Sequence, residues 1–276
     1  MASERVPRYS ICQAVIRGND LATDLAWAAA AGASGVALSG PDVDAAGWHA
    51  TTDLLNEYEL QVSTVERYGH SPLTPQPVEE QEAALQQAAR MCVHLGAANL
   101  LVTTGGLEQT RLSAKEADSK CRTWFSHMAP IASAHGIRLA LEPVHPLLRW
   151  ASYVHTVRHA VDITGGLPGT GVLLDVGHLW WDRHLLDDIE ALTEHITSVQ
   201  IDDVSGGGLR DFRYGRVQLG EGCIPLGELV DAIESAGFQG WYENEIGMRM
   251  KREERTTFLA ESGRRLSKLL ADRTQH

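Results

Sequence analysis

Residues 137–146, IRLALEPVHP, are followed by residues 153–166, YVHTVRHAVDITGG. The first segment alternates. A period of two puts Ile137, Leu139 and Leu141 on one side of a strand and Arg138, Ala140 and Glu142 on the other. Pro143 then stops the ladder, because it has no N–H to donate. The second segment has a helical pattern and closes on a glycine pair, as helix C-termini favour. One strand followed by one helix is the unit, and it recurs in both directions.

Upstream, RYSICQAVI (8–16) precedes DLATDLAWAAAAG (20–32), and SGVALSG (34–40) precedes AGWHATTDLLNEYE (46–59). LQVSTVERYG (60–69) then leads into VEEQEAALQQAARMCVHLG (78–96), and ANLLVTTGG (98–106) into SAKEADSKCRTWFSHMAPIASAHG (113–136). Downstream, TGVLLDVGHLWW (170–181) and LLDDIEALTEH (185–195) are followed by ITSVQIDDV (196–204) and LGELVDAIESAG (226–237). GWYENEIG (240–247) and REERTTFLAESGRRLSKLLAD (252–272) complete the series. Eight strand–helix units in 276 residues predict a single-domain (β/α)8 TIM barrel over residues 1–276, since parallel strands need crossover helices. An open doubly wound sheet is the alternative. It is disfavoured because no Gly-x-Gly-x-x-Gly follows the first strand.

Composition narrows the partners. With 24 Lys and Arg against 36 Asp and Glu, the net charge of −12 disfavours nucleic acid. No window approaches the ~20 apolar residues of a membrane span. The start MASERVPRYS lacks an export signal's basic and apolar segments, so a cytoplasmic, soluble protein is expected, and a homo-oligomer is admitted. Cys12, Cys92, Cys121 and Cys223 are far apart with no C-x-x-C pair, which suits reduced, packing thiols.

In a barrel the C-terminal ends of all strands open on one face, so polar residues there converge. Glu142 stands before Pro143 at such an end. Asp175 ends GVLLD, with His178 three residues on and Trp180 and Trp181 beyond as a wall for a sugar-sized pocket. Trp241, Glu243 and Glu245 share one face of GWYENEIG. Two inward acids on one strand repel unless a cation or proton intervenes. The late strand ends therefore offer Glu142, Asp175, Gln200 or Asp202, and Glu245 or Glu243. Oxygen donors of this kind suit Mg²⁺ or Mn²⁺, beside which one Glu can take a proton α to a carbonyl.

These residues carry a resemblance. LALEPVHP, LLDVGHLWW, the amide or acid after strand seven, LGEGCIPLGEL and GWYENEI together resemble the xylose isomerase-like barrel superfamily, most closely its sugar-phosphate isomerase/epimerase and inosose isomerase branch. The likeness is strongest over residues 137–247. It implies a divalent-metal isomerase or epimerase of a small sugar, keto-sugar or cyclitol. Its metal ligands fall on Glu142, Asp175, Gln200 and Glu245, with Glu142 and Glu245 as the two bases. His178 is implied to bind a substrate oxygen. Where the family has His, this chain has Gln200, which favours Mn²⁺ or Mg²⁺ over Zn²⁺. Arg210, Arg213 and Arg216 in the loop after strand seven, with Glu66, His70 and Glu108 after strands three and four, are the expected rim for a polyol or keto-sugar. His145 is expected in a supporting or packing role, and His94, His127, His135 and His195 in structural ones. A lyase using the same proton abstraction, or a sugar-binding barrel without metal, is the alternative. A nuclease on this fold is disfavoured by the acidic charge and by the few histidines at the mouth.

Overall fold

The computed structural model describes residues 6–18, 20–66, 71–206, 215–247 and 252–272. Its strands are β1 (Val6–Cys12), β2 (Ala33–Ser39), β3 (Gln61–Glu66), β4 (Asn99–Val102), β5 (Arg138–Leu141), β6 (Thr170–Asp175), β7 (Ile196–Ile201) and β8 (Trp241–Asn244). Each pairs in parallel with the next, and β8 pairs with β1, so the sheet closes into an eight-stranded barrel. Helices between the strands cover the outside, as the repeating unit predicts. No helix among the described residues is long and apolar enough to cross a membrane.

Local chemistry sets the helix ends. Ser113 and Glu116 form a reciprocal capping box on helix Ala114–Ala134, and the Asp20 and Thr156 side chains cap Leu21–Ala30 and Val157–Thr164. Gly96 and Gly165 end their helices in the left-handed conformation, where a Cβ would be strained.

The strand alternation divides the core into two. Leu139 and Leu141 belong to the large cluster between sheet and helices, whereas Ala140 packs with Leu101 and Leu173 inside the barrel. That apolar half lies along β4, β5 and β6. The opposite half of the interior is polar: Ser10 Oγ and Ser63 Oγ are 2.8 Å apart, and Thr64 Oγ1 donates to Glu243 Oε1 at 2.6 Å. On the same face of β8 as Glu243, Trp241 fills the space beside Gly35, where a Cβ would stand 2.9 Å from the indole. The barrel is thus plugged at Trp241 and increasingly polar toward the strand ends.

A candidate cation site at the barrel mouth

Glu142 directly follows β5, its N–H still bonded to Val102 O at 3.0 Å before Pro143 ends the ladder. Asp175 is the last residue of β6, fully buried, and its Oδ1 accepts the N–H of His178 at 3.0 Å. This Asx cap starts the short helix Val176–Leu179 and turns the His178 ring back over the strand end. His178 Nε2 then lies 3.4 Å from Asp175 Oδ2 and 3.5 Å from Glu142 Oε1. Ligand atoms of all three residues fall within 4.8 Å of one another. Two donors each roughly 2.1 Å from an ion stand about 3 Å apart at right angles, so the spacing is that of ligands around a small cation.

Register places Gln200 beside Asp175 on one side and Glu243 on the other. The amide is buried as expected of an inward position. Its Oε1 has no hydrogen-bond partner among the described residues, and neither has Asp175 Oδ2. Such orphaned, buried acceptors are costly unless something positive meets them. Glu245 follows β8 and, with His178, Arg216, Ala14, Val15, Leu148 and Gly247, lines a cavity of about 230 Å³ at the mouth. Glu66, at the end of β3, is 3 % exposed and also carries an orphaned oxygen.

Electrostatics reflects the crowding. Burial, then the charges of Asp175, Glu66 and Glu243, holds the Glu142 carboxyl well above its usual range; burial, then Asp175, Glu142 and Glu66, does the same to Glu245. Burial and Glu243 push Glu66 up to about 7. Burial pushes His178 down to about 4, against the pull of Asp175, so its imidazole is neutral at pH 7 and keeps a lone pair. Neutral imidazole, carboxylates and an unpaired amide oxygen fit a divalent cation as a donor set.

Several expectations need correction. Asp202, an alternative to Gln200 by sequence, is instead ion-paired with Arg216, and both are buried. That pair packs against Gly177, where a Cβ would collide with both side chains, so the glycine of the Asp175–His178 turn is required by its neighbours. Glu243, the alternative to Glu245, lies in the barrel interior and is bonded to Thr64. Glu108 is on a separate cavity with Asp118, Tyr153, His155 and His159, away from the cluster. Cys223 is exposed rather than packed. Of the aromatic wall, Trp181 anchors its indole N–H on His178 O at 2.7 Å, while Trp180 packs against the core. His145 stays out of the cluster: its Nδ1 accepts the N–H of Leu147 at 3.1 Å. His70, Arg210 and Arg213 lie outside the described residues.

The loop carrying Arg216 hangs on Asp203. Its Oδ2 accepts from the N–H groups of Gly220 and Gly222 at 2.9 and 2.8 Å, and its Oδ1 from Val204 and Ile224 at 2.9 and 3.2 Å. Asp203→Ala strands several N–H groups at once, at about 1 kcal/mol or more apiece. A loss of about 3 kcal/mol in urea unfolding is expected, and a change below about 0.5 kcal/mol contradicts this role.

The sequence profile of the xylose isomerase-like TIM barrel matches residues 25–266. No functionally curated protein matches the chain. Among solved structures, protein SMc04130 from Sinorhizobium meliloti 1021 superposes with a TM-score of 0.80 at 26% identity, covering 98% of this chain and 97% of that one. The IOLI protein, whose crystal structure has a bound zinc atom, gives a TM-score of 0.75 at 16% identity, with 96% of each chain covered. D-allulose 3-epimerase from Methylomonas sp. gives 0.78 at 17% identity, covering 98% of this chain and 100% of that one. At such identities the last two likenesses show the fold alone.

Proposed function

We propose that this chain, which belongs to the xylose isomerase-like TIM barrel family, is a divalent-metal-dependent isomerase or epimerase of a small sugar, keto-sugar or cyclitol. The observation that carries the reading is the cluster of Glu142, Asp175 and His178 around orphaned oxygens, with a further, half-buried acid, Glu245, on the cavity beside it.

Glu142, Asp175, Gln200 and Glu245 would hold the cation, with His178 close enough to share that role or to bind a substrate oxygen. The mixed donor set suits Mn²⁺ or Mg²⁺ and also admits Zn²⁺. When bound, the cation supplies positive charge beside a carbonyl and its neighbouring hydroxyl, lowering the energy of negative charge on those oxygens. Glu142 and Glu245 end strands separated by β6 and β7, so they flank the site. One carboxylate takes the proton from the carbon next to the carbonyl; the C–H electron pair moves into a C–C double bond and the carbonyl pair onto oxygen, leaving an enediolate. The other returns a proton. Return to the same carbon from the opposite face gives an epimer; return to the adjacent carbon, with the hydroxyl proton passing to the former carbonyl oxygen so that the new carbonyl forms on its neighbour, gives an isomer. Their raised affinities for protons bring both carboxylates nearer to what general-base chemistry near neutrality needs. Arg216, held by Asp202, keeps a positive charge near both.

The test is deuterium exchange. Ketoses and inososes incubated in D₂O with Mn²⁺, Mg²⁺ or Zn²⁺ are expected to take up deuterium next to the carbonyl, and chelation to stop it. A product lighter by water or an aglycone assigns the proton abstraction to a lyase. A chain that takes up no metal and catalyses no exchange with any of the three ions is a sugar-binding barrel at most.

A further inference from the structure

Exposed apolar side chains are unevenly spread over the molecule. Among the described residues six large ones are exposed, and four of them, Leu147, Trp150, Trp181 and Leu186, stand in the segments that follow β5 and β6. The other two, Val78 and Val93, are on the helix Val78–Leu95. The excess therefore sits around the barrel mouth, beside the strand ends that carry Glu142 and Asp175, and grouped apolar side chains of this kind mark a binding surface.

These side chains are held in place. Trp181 is tied through its indole N–H to the carbonyl of His178, whose own ring is in the cation cluster, and it meets the ring of His145 edge-on at 5.9 Å and 76°. His145 is fixed in turn, because it caps the short turn Pro146–Leu148 by accepting the N–H of Leu147. Trp150 rides on backbone seated against Gly106, where a Cβ would stand 2.8 Å from the Trp150 carbonyl oxygen. Within the same turn Leu148 lines the mouth cavity, together with Ala14 and Val15. The apolar surface thus runs from the cavity wall outward onto the rim.

Size and charge say what reaches that rim. At about 230 Å³ the cavity is below the roughly 300–1,000 Å³ that encloses a drug-sized ligand. It takes one small ring, and a substituent on that ring has to leave over the rim. Arg216, the cationic side chain on the cavity wall, is engaged by Asp202, so the described rim offers such a substituent apolar and aromatic surface in place of charge.

We propose that the substrate carries a flat apolar substituent, of phenyl size, on its sugar or cyclitol ring, and that Trp181 holds it, with His145 and Leu147 next along the rim. This rests on the sugar reading of the site. Rings fixed before binding lose little freedom on contact, so a flat group keeps most of the stacking energy. Trp181 is in this sense a specificity-determining residue. It selects a substituted ring over the bare one.

The test uses two neutral glycosides that differ only in the substituent, phenyl β-D-glucopyranoside and methyl β-D-glucopyranoside, titrated calorimetrically into the protein with Mn²⁺ present. The phenyl compound is expected to bind at least about 10-fold more tightly. Trp181→Ala is expected to reduce that ratio to below about 3, and Leu147→Ser to lower it by about half. The ratio is the readout, because damage to the site itself weakens both glycosides together. A ratio near one in wild type, or one that neither variant changes, overturns the inference. So does an unchanged ratio with an oligomer split by the same substitutions in sedimentation, which makes the rim a contact between copies. A second measurement needs neither sugar nor metal. With fluorotryptophan incorporated, the fluorine resonance of Trp181, assigned by its loss in Trp181→Phe, is expected to shift when phenol is added to the chelated protein. If no sugar binds or exchanges deuterium, the sugar reading fails by itself. The resonance then decides the rim alone, and one that phenol leaves unmoved overturns the inference.

Discussion

Glu142→Gln and Glu245→Gln are each expected to lower interconversion of substrate and product by about 10³-fold, the range that a positioned general base contributes. Both changes keep size and an oxygen ligand, so metal content measured on the same samples separates loss of the base from loss of the ion. The sharper signature is in the exchange pattern. With two bases on opposite faces, each variant keeps the base for one epimer only. It should still wash deuterium into that epimer while failing to convert it, and the two variants should retain exchange in opposite epimers. Loss of exchange from both epimers in either variant reduces the site to one base. Equal exchange by wild type and both variants removes these carboxylates from the chemistry altogether.

The residues of this site were legible in the sequence to different depths. The strand period alone put Ala140 and Glu142 on one side of a strand and Glu243 and Glu245 on one face, and in the barrel Ala140 packs inside with Leu101 and Leu173. The Asp-x-x-His spacing was visible as His178 three residues after Asp175, and the Asx cap explains physically why the two side chains meet. Between Gln200 and Asp202 the sequence had no means to choose by itself. Both are polar and both follow from the same alternation. What separates them is Arg216, fourteen residues further on and folded back beside Asp202. The contact between Cys12 and Gln200 was invisible for a stronger reason: the two are 188 residues apart, and only closure of β1 onto β8 brings them together. Local patterns encode which way a side chain faces. Which other inward residue it meets across the ring is fixed by the shear of the whole barrel. The polar half of the interior belongs to the same class, since Ser10, Ser63 and Thr64 read as ordinary strand residues one at a time.

The crowding of acids also has a measurable effect on stability. The chelated, metal-free protein is expected to lose stability as pH rises from about 6.5 to 9, and the protein with saturating Mn²⁺ to gain it. Glu66 has its folded value raised from 4.5 to about 7, so the folded state holds that proton longer than the unfolded chain does. The stabilisation is complete below the unfolded value and is lost as pH climbs through about 7; a shift of this size corresponds to about 3 kcal/mol. Glu142 and Glu245, raised well above their ordinary range, extend the loss to higher pH. His178 works in the opposite sense but lower down. Its value falls from 6.5 to about 4, so its contribution is present above 6.5 and lost as pH drops. Above 6.5 the acids therefore act alone, and between about 4.5 and 6.5 the three acids outweigh the one histidine, so the metal-free protein should lose stability throughout the rise from about pH 5. A cation inverts the slope, because it binds the deprotonated carboxylates and stabilises the fold by about 4 kcal/mol at a thousand times its dissociation constant. Urea midpoints across pH 6 to 9, with chelator and with Mn²⁺, read both slopes. A metal-free midpoint that stays flat or rises over this window would show that Glu66, Glu142 and Glu245 do not share one buried centre, and Mn²⁺ leaving the slope unchanged would show that the centre is not where the ion binds.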